Sequence, residues 1–88
     1  LPIWWYHKTA YISAFKLAGG LNYHTYFNDA KRKIVLYLPN HQVVVTANNA
    51  FVIIDKDAYR MPMPALWQTD EIFIPLKHFI AILNGHTS

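Results

Sequence analysis

The chain carries five histidines, and histidine is the residue type here with the greatest capacity to bind a metal ion. A metal site needs ligands whose spacing brings them together, such as two histidines on one helix face or a histidine beside cysteines. The sequence has no cysteine, no two histidines stand four residues apart, and the carboxylates do not cluster with them. We predict no metal site and no cofactor, and solvated turn or surface positions for His7, His24, His41, His78 and His86.

Five carboxylates are available for acid–base catalysis, which needs two titratable groups in differently tuned surroundings. They occur in the short polar stretches NDAKR, DKD and TDE, whose composition is that of ordinary turns. Turn formation therefore accounts for them without a catalytic role. The residues are Asp29, Asp55, Asp57, Asp70 and Glu71.

Ser13 is the one serine besides the last residue of the chain, and a hydroxyl nucleophile would need a base beside it. The same residue stands directly before a short apolar stretch, where serine commonly caps a helix. We interpret Ser13 as a helix N-cap and predict no catalytic residue. The chain by itself is therefore expected not to be an enzyme.

Aromatic residues make up 16% of the chain and are the strongest candidates for binding. Rings can stack on sugars or bases, and with the basic run 31–33 they leave open a single-stranded nucleic-acid binder. The known nucleic-acid motifs are absent, which argues against that partner. Small β domains also bury aromatics in their cores, which we expect for most of these rings. The candidate binding surface consists of Trp4, Trp5, Tyr6, Val35, Tyr37 and Trp67.

Length and composition indicate one folded domain. The 88 residues are 53% apolar, near the lower size limit at which a hydrophobic core alone maintains a fold. The net charge of +3 favours acidic partners only weakly, because the basic residues are scattered outside 31–33. No apolar run reaches the roughly 18 residues of a membrane span. The chain opens on Leu1 inside an apolar segment, and we expect residues 1–88 to be a domain excised from a longer protein.

The elements that must position these residues can be predicted along the chain. Ser13 begins a short helix over 14–18, and Gly19-Gly20 is predicted to end it. Pro62 and Pro64 predict a kinked crossing that cannot be a central strand. The predicted strands, separated by polar turns, are 3–6 (or an apolar arm), 23–27, 33–38, 42–47, 50–54, 58–61, 65–67 and 71–74. These elements predict an α+β domain, with an antiparallel sheet of about five strands packed on two short helices.

The second helix has the clearest periodicity. Pro75 suits a first helical turn, where the backbone N–H groups lack partners in any case. Apolar residues then recur at i, i+3, i+4 and i+7, which predicts a stripe that packs on the sheet. Asn84-Gly85 is predicted to end the helix. The stripe consists of Leu76, Phe79, Ile80 and Leu83.

The middle strands are apolar on both sides. In KIVLYL, Val35 and Tyr37 point away from the side used by their neighbours, and VVV and FVII are equally two-sided. A sheet with one solvated face would alternate more cleanly. We expect an apolar patch on the second face, partly covered by Trp4, Trp5 and Tyr6, through which the isolated domain self-associates. The alternative is a sheet curled tightly enough for the segment before Tyr11 to cover this face.

Three stretches resemble the copper amine oxidase N-terminal-like domain, also called the stalk domain, of bacterial extracytoplasmic proteins. YISAFKLAGGLNYHTY is similar to the opening strand and helix of that family, FNDAKRKIVLYL to its polar turn and strand, and MPMPALWQTDEIFIPLKHFIAIL to its closing segment. The resemblance covers about residues 11–83. QTDE departs from the glycine-containing turn that is usual there.

The resemblance implies a small antiparallel sheet curled around a helix and used as an appendage. Copper and quinone belong to another domain of the host enzyme, so the resemblance implies no cofactor here. It does imply an extracytoplasmic location. In cell-wall amidases the similar domain lies beside the catalytic domain, and YRMPMPAL resembles those versions.

The favoured function is therefore a non-catalytic accessory domain that anchors or positions a larger extracytoplasmic enzyme, such as an N-acetylmuramoyl-L-alanine amidase. Its partners would be a neighbouring domain of the parent chain, a second copy, or peptidoglycan. The first alternative is an interaction or self-association module with no cell-wall binding. The second alternative is the single-stranded nucleic-acid binder.

Overall fold

A computed structural model describes residues 3–87 of the chain. The described part contains nine strands and two helices. In chain order they are β1 Trp4–Tyr6, β2 Thr9–Ser13, α1 Ala14–Gly20, β3 His24–Asn28, β4 Lys33–Tyr37, β5 Gln42–Thr46, β6 Phe51–Ile54, β7 Asp57–Arg60, β8 Leu66–Gln68, β9 Glu71–Pro75 and α2 Leu76–Thr87.

The strands form two antiparallel sheets. One is a five-stranded meander in the order β3-β4-β5-β6-β7, and the other has the order β1-β2-β9-β8. The four-stranded sheet joins distant parts of the chain, since Ile12 in β2 pairs with Ile74 in β9. The predicted α+β class with a curled antiparallel sheet and two helices is confirmed, and the four-stranded sheet is an addition to it.

Helix α1 begins as predicted and ends later. Ser13 is the N-cap, and its Oγ accepts a hydrogen bond from the Lys16 N–H at 3.3 Å. The predicted stop at Gly19 is wrong, because both glycines are helical. Asn22 instead adopts the left-handed conformation (φ 61°), while the Tyr23 N–H donates to Ala18 O at 2.8 Å. This is a Schellman-type end in which asparagine takes the usual place of glycine.

Helix α2 begins one residue later than predicted and continues past its predicted end. Pro75 is the last residue of β9, paired with Tyr11, and the helix starts at Leu76. It continues through Gly85, which is helical, and a Cβ added at this residue would have no other atom within 4 Å. Phe79 and Leu83 are buried, whereas Leu76 and Ile80 are half-buried.

One core lies between the two sheets and the helices. Every second residue of β4, β5 and β6 enters it, as strand alternation requires. Ile12, Ile72 and Ile74 enter from the four-stranded sheet, and Phe79 enters from α2. The strand contribution from the five-stranded sheet is Ile34, Leu36, Val43, Val45, Val52 and Ile54.

The proline segment is anchored on either side of its prolines. The Met61 N–H donates to Ala50 O at 2.7 Å, and the Ala65 N–H donates to Asn49 O at 2.9 Å. Met61 and Ala65 are both fully buried. Residues 61–65, here called the proline strap, are therefore held across the end of the meander. Pro62 and Pro64 occupy positions that need no ladder donor.

Candidate functional site

The six residues of the predicted binding surface do not lie together. The structure places Trp4 and Tyr6 in one aromatic cluster, Trp5 on the other side of β1, Val35 and Tyr37 on the five-stranded sheet, and Trp67 against Phe27. The molecule therefore presents several separate surfaces.

The aromatic cluster covers one side of the four-stranded sheet. The Trp4 ring centroid lies 5.5 Å from that of Phe73 in an edge-on arrangement, and 5.8 Å from that of Tyr11. Tyr6 meets Tyr11 edge-on at 6.0 Å. Offset and edge-on pairs of this kind are favourable. The expectation that the N-terminal aromatics cover the meander is wrong for Trp4 and Tyr6, because β1 pairs with β2 instead.

Tyr11 is enclosed beneath this cluster. Its hydroxyl donates to Pro64 O at 2.8 Å, which ties the cluster to the proline strap. Burial raises the pKa of Tyr11, and the neighbouring Tyr6 raises it further. Both effects disfavour the phenolate, so Tyr11 is a structural donor rather than a base.

Trp5 points away from the cluster, as the alternation along β1 requires. It is 67% exposed and borders a shallow depression of about 140 Å³. Lys8, Lys77 and His78 line the same depression. Trp5 and these residues form a surface region that is both basic and aromatic and is separate from the aromatic cluster.

The side of the meander that points away from the core is here called the outer face. Its middle is a row of directly paired apolar residues that crosses all five strands without a break. Tyr26 pairs with Val35, Val35 with Val44, Val44 with Ile53 and Ile53 with Ala58. This set is the apolar row.

Large apolar side chains stay exposed on the outer face: Tyr26 by 57%, Tyr37 by 43%, Phe51 by 46% and Ile53 by 40%. Neither helix packs there, because the described contacts of α1 and α2 involve the core side of the sheets. Isolated exposed apolar residues are ordinary, but a contiguous set across a sheet is not. The outer face is therefore a candidate interaction surface.

The two ends of the outer face carry different charges. Lys33 lies at one end of β4, and Arg60 pairs with Phe51 at the same end of the sheet. Asp55 lies at the opposite end, beside the start of β5, where its Oδ1 accepts from the Gln42 N–H at 3.0 Å. His41 Nδ1 contacts Asp55 Oδ2 at 2.7 Å. The face thus has a basic end, while at the opposite end the Asp55 carboxylate stands beside His41 and Lys56.

A cleft of about 420 Å³ opens between α1, β4 and the β8–β9 turn, and is here called the α1 cleft. Ile34 and Ile72 form its buried floor, and Phe15 and Phe27 stand beside its mouth. Sequence analysis did not single out either phenylalanine. The signal was present, since Phe15 follows the N-cap by two residues, on the side of α1 opposite Leu17.

Charged side chains border the α1 cleft. Ser13 Oγ donates to Glu71 Oε1 at 2.5 Å, and Lys16 Nζ lies 4.0 Å from Glu71 Oε2. Ser13 is buried and is already the N-cap of α1, so its hydroxyl is occupied by two structural contacts. Asp70 adds a second carboxylate to the lining. The border of the α1 cleft therefore carries one amine and two carboxylates, while the Ser13 hydroxyl is engaged within the domain.

Next to the α1 cleft, Trp67 lies in a stack with Phe27 and Arg32. Its ring stacks on Phe27 at 5.8 Å with an interplanar angle of 11°, and the Arg32 guanidinium lies 4.6 Å from its centroid. A cation this close to an indole ring is attracted by the ring quadrupole. Arg32 therefore packs against Trp67. This contact leaves the basic run 31–33 less able to bind one ligand with all three side chains.

The described side chains do not suit a copper ion. Within them, no three histidine, aspartate or glutamate side chains lie close enough together to hold a metal. His7, His24, His41 and His78 are distributed over different elements, and the side chain of His86 lies outside the described part of the chain.

The family model of the copper amine oxidase N-terminal domain matches residues 2–87. The chain therefore belongs to that family, an accessory domain of copper amine oxidases. No curated protein and no solved structure gives a significant match. In residues 3–87 neither helix has the length and apolar character needed to cross a membrane.

Proposed function

We propose that this chain is a non-catalytic accessory domain that anchors or positions a larger extracytoplasmic enzyme at the bacterial envelope. The observation that carries the proposal is the family match over residues 2–87, since the family is an accessory rather than a catalytic domain. The parent enzyme would be a cell-wall hydrolase such as an N-acetylmuramoyl-L-alanine amidase. The likeness of YRMPMPAL to the amidase versions supports this choice of parent.

Peptidoglycan is the proposed ligand, and the α1 cleft is its proposed site. Sugar rings present apolar C–H faces, which pack on aromatic rings such as Phe15 and Phe27. The stem peptides of peptidoglycan carry amines and carboxylates, which match Asp70 and Lys16 beside the cleft. The combination of aromatic walls with a few charged groups is typical of ligand sites.

Co-sedimentation with purified peptidoglycan tests this function directly. The 88-residue chain should sediment with peptidoglycan but not with cellulose. Phe15→Ala should reduce the bound fraction severalfold, because Phe15 is 60% exposed and contributes little to the core. Tyr37→Ala, which removes an exposed aromatic ring from the outer face, is the matched control and should bind normally.

A salt titration with a single-stranded oligonucleotide tests the alternative that the chain binds single-stranded nucleic acid. A nucleic-acid binder would bind the oligonucleotide tightly at low salt and lose affinity steeply as salt rises. Binding of that kind, with no sedimentation on peptidoglycan, would overturn the proposal. Sedimentation that Phe15→Ala leaves unchanged would remove the α1 cleft as the site.

A further inference from the structure

We propose that the domain binds the surface of an anionic phospholipid membrane through one corner, where the exposed indole of Trp5 stands beside Lys8, Lys77 and His78. These four residues are here called the basic corner. The inference adds a second attachment to the proposed accessory role and uses a different surface from the α1 cleft. It does not depend on peptidoglycan binding.

The basic corner is formed by a tight hairpin and the start of a helix. His7 and Lys8 make the two-residue turn between β1 and β2, and both adopt the left-handed conformation (φ 48° and 63°). Strand alternation turns Trp5 away from the aromatic cluster and towards the first turn of α2. There Lys77 and His78 border the same depression of about 140 Å³. Residues distant in the chain therefore meet at one exposed corner.

The positive charge of the basic corner is not neutralised within the described part of the chain. All five carboxylates of the sequence lie between residues 29 and 71, so β1, β2, α1 and α2 contain none. Lys16 in α1 lies 4.0 Å from Glu71, whereas neither Lys8 nor Lys77 forms an ion pair within residues 3–87. A surface with cations and no carboxylates attracts anions. The partner of this corner is therefore anionic.

Trp5 distinguishes a membrane from a soluble anion. Its side chain is 67% exposed, more than any other large apolar side chain in the described part of the chain. A soluble phosphate would interact with the cations alone. At a membrane surface, an indole lies at the level of the headgroups while neighbouring lysines meet the phosphate groups. An anionic headgroup layer thus uses both the aromatic and the basic part of the corner.

The contact is weak and reversible. Each lysine near an anionic surface strengthens binding by a factor of about five, and a single indole adds only a limited apolar area. Even one myristoyl chain gives a marginal attachment. The basic corner therefore orients the domain at the membrane when the parent chain already keeps it nearby.

Co-sedimentation of the 88-residue chain with lipid vesicles measures the contact. At about millimolar lipid and low salt, the chain should sediment with phosphatidylglycerol vesicles and not with phosphatidylcholine vesicles. Salt at about 0.5 M should release it. The double variant Lys8→Gln/Lys77→Gln should bind about 20-fold more weakly. Both lysines are exposed, and a cation in the first turn of α2 opposes the helix dipole, so this variant should fold.

Lys31→Gln/Lys56→Gln is the matched control, because it removes the same charge from two exposed lysines outside the basic corner. Its binding should stay within about threefold of the parent, since screening limits each charge to its own surroundings. Trp5→Ala should weaken binding severalfold and remove most of the blue shift of tryptophan fluorescence that phosphatidylglycerol vesicles produce. Phe15→Ala should bind the vesicles like the parent, whatever its effect on peptidoglycan.

Three results overturn the inference. The first is no sedimentation with phosphatidylglycerol vesicles, or equal losses in the two double lysine variants. The second is a loss of vesicle binding in Phe15→Ala, because the contact would then use the α1 cleft. The third is binding of inorganic polyphosphate as tightly as of the vesicles, with no effect of Trp5→Ala on either, because the corner would then be a site for soluble anions.

Discussion

The two sheets of this domain differ in how far the side that faces away from the core is covered. On the four-stranded sheet, Trp4, Tyr6 and Phe73 pack around Tyr11, which is fully buried. On the five-stranded sheet, Tyr37 and Ile53 remain exposed across the outer face. Both sheets carry apolar side chains on two sides, yet only one of them has both sides covered.

The difference follows from what each sheet has beside it. The four-stranded sheet gains β1 as an edge strand and the proline strap as a cover, to which the Tyr11 hydroxyl is hydrogen-bonded. The meander is formed by successive hairpins, and within residues 3–87 both helices pack on its core side. A strand that is apolar on both sides therefore indicates that both sides need a partner, and the partner need not come from within the domain.

The largest expected effect comes from the core that the two sheets share. Phe79→Ala should lower the free energy of unfolding by about 3–5 kcal/mol, because it empties a fully buried site against the four-stranded sheet. Chemical denaturation measures this loss. Lys77→Ala on the exposed side of α2 is the control. A Phe79→Ala variant as stable as the parent would show that α2 does not pack as described.

The covered side should respond next. Tyr11→Phe should cost about 0.5–1.5 kcal/mol, because it removes the hydrogen bond from the buried Tyr11 side chain to the partly buried Pro64 carbonyl. Tyr26→Phe, which removes a hydroxyl from the exposed outer face, should change stability little. Equal effects of the two substitutions, measured by urea unfolding, would contradict the contrast between a covered and an open side.

Alkaline pH should destabilise the covered side specifically. The pKa of Tyr11 is raised in the folded state, so the folded protein holds this proton more tightly than the unfolded chain. Its contribution is complete below the ordinary tyrosine pKa of about 10 and is lost as pH rises through the higher folded value. Thermal melts above that pH should show a steeper decline for the parent than for Tyr11→Phe. Parallel declines would place Tyr11 in contact with water.

The smallest effect is expected on the outer face. Ile53→Thr keeps a β-branched side chain at a position that is already 40% exposed. The free energy of unfolding should change by only about 0.5 kcal/mol. Denaturation of the parent and Ile53→Thr at equal low concentration checks this. A loss comparable with that of Phe79→Ala would mean that the outer face is covered within one copy.

Local sequence determined the elements whose causes are local. Ser13 before an apolar stretch predicts the N-cap, because a short side chain there satisfies a nearby backbone N–H. The polar break after β3 predicts the first hairpin of the meander, and the QTD stretch predicts the tight β8–β9 connection. In that connection Thr69 (φ 47°) and Asp70 (φ 60°) form a two-residue turn of the I′ type without glycine.

Other features were decided by tertiary structure, because their partners are distant in the chain. Pairing of β2 with β9 creates the second sheet and draws Trp4 and Tyr6 onto Tyr11, which no pattern near residue 4 predicts. The end of α1 is by contrast a local feature, closed by the backbone of Asn22 and Tyr23, where asparagine rather than glycine takes the left-handed conformation. The sequence alone determined that the meander would be apolar on both sides, and only the packing of remote segments decided that its outer face stays open, since coverage is a property of neighbours in space.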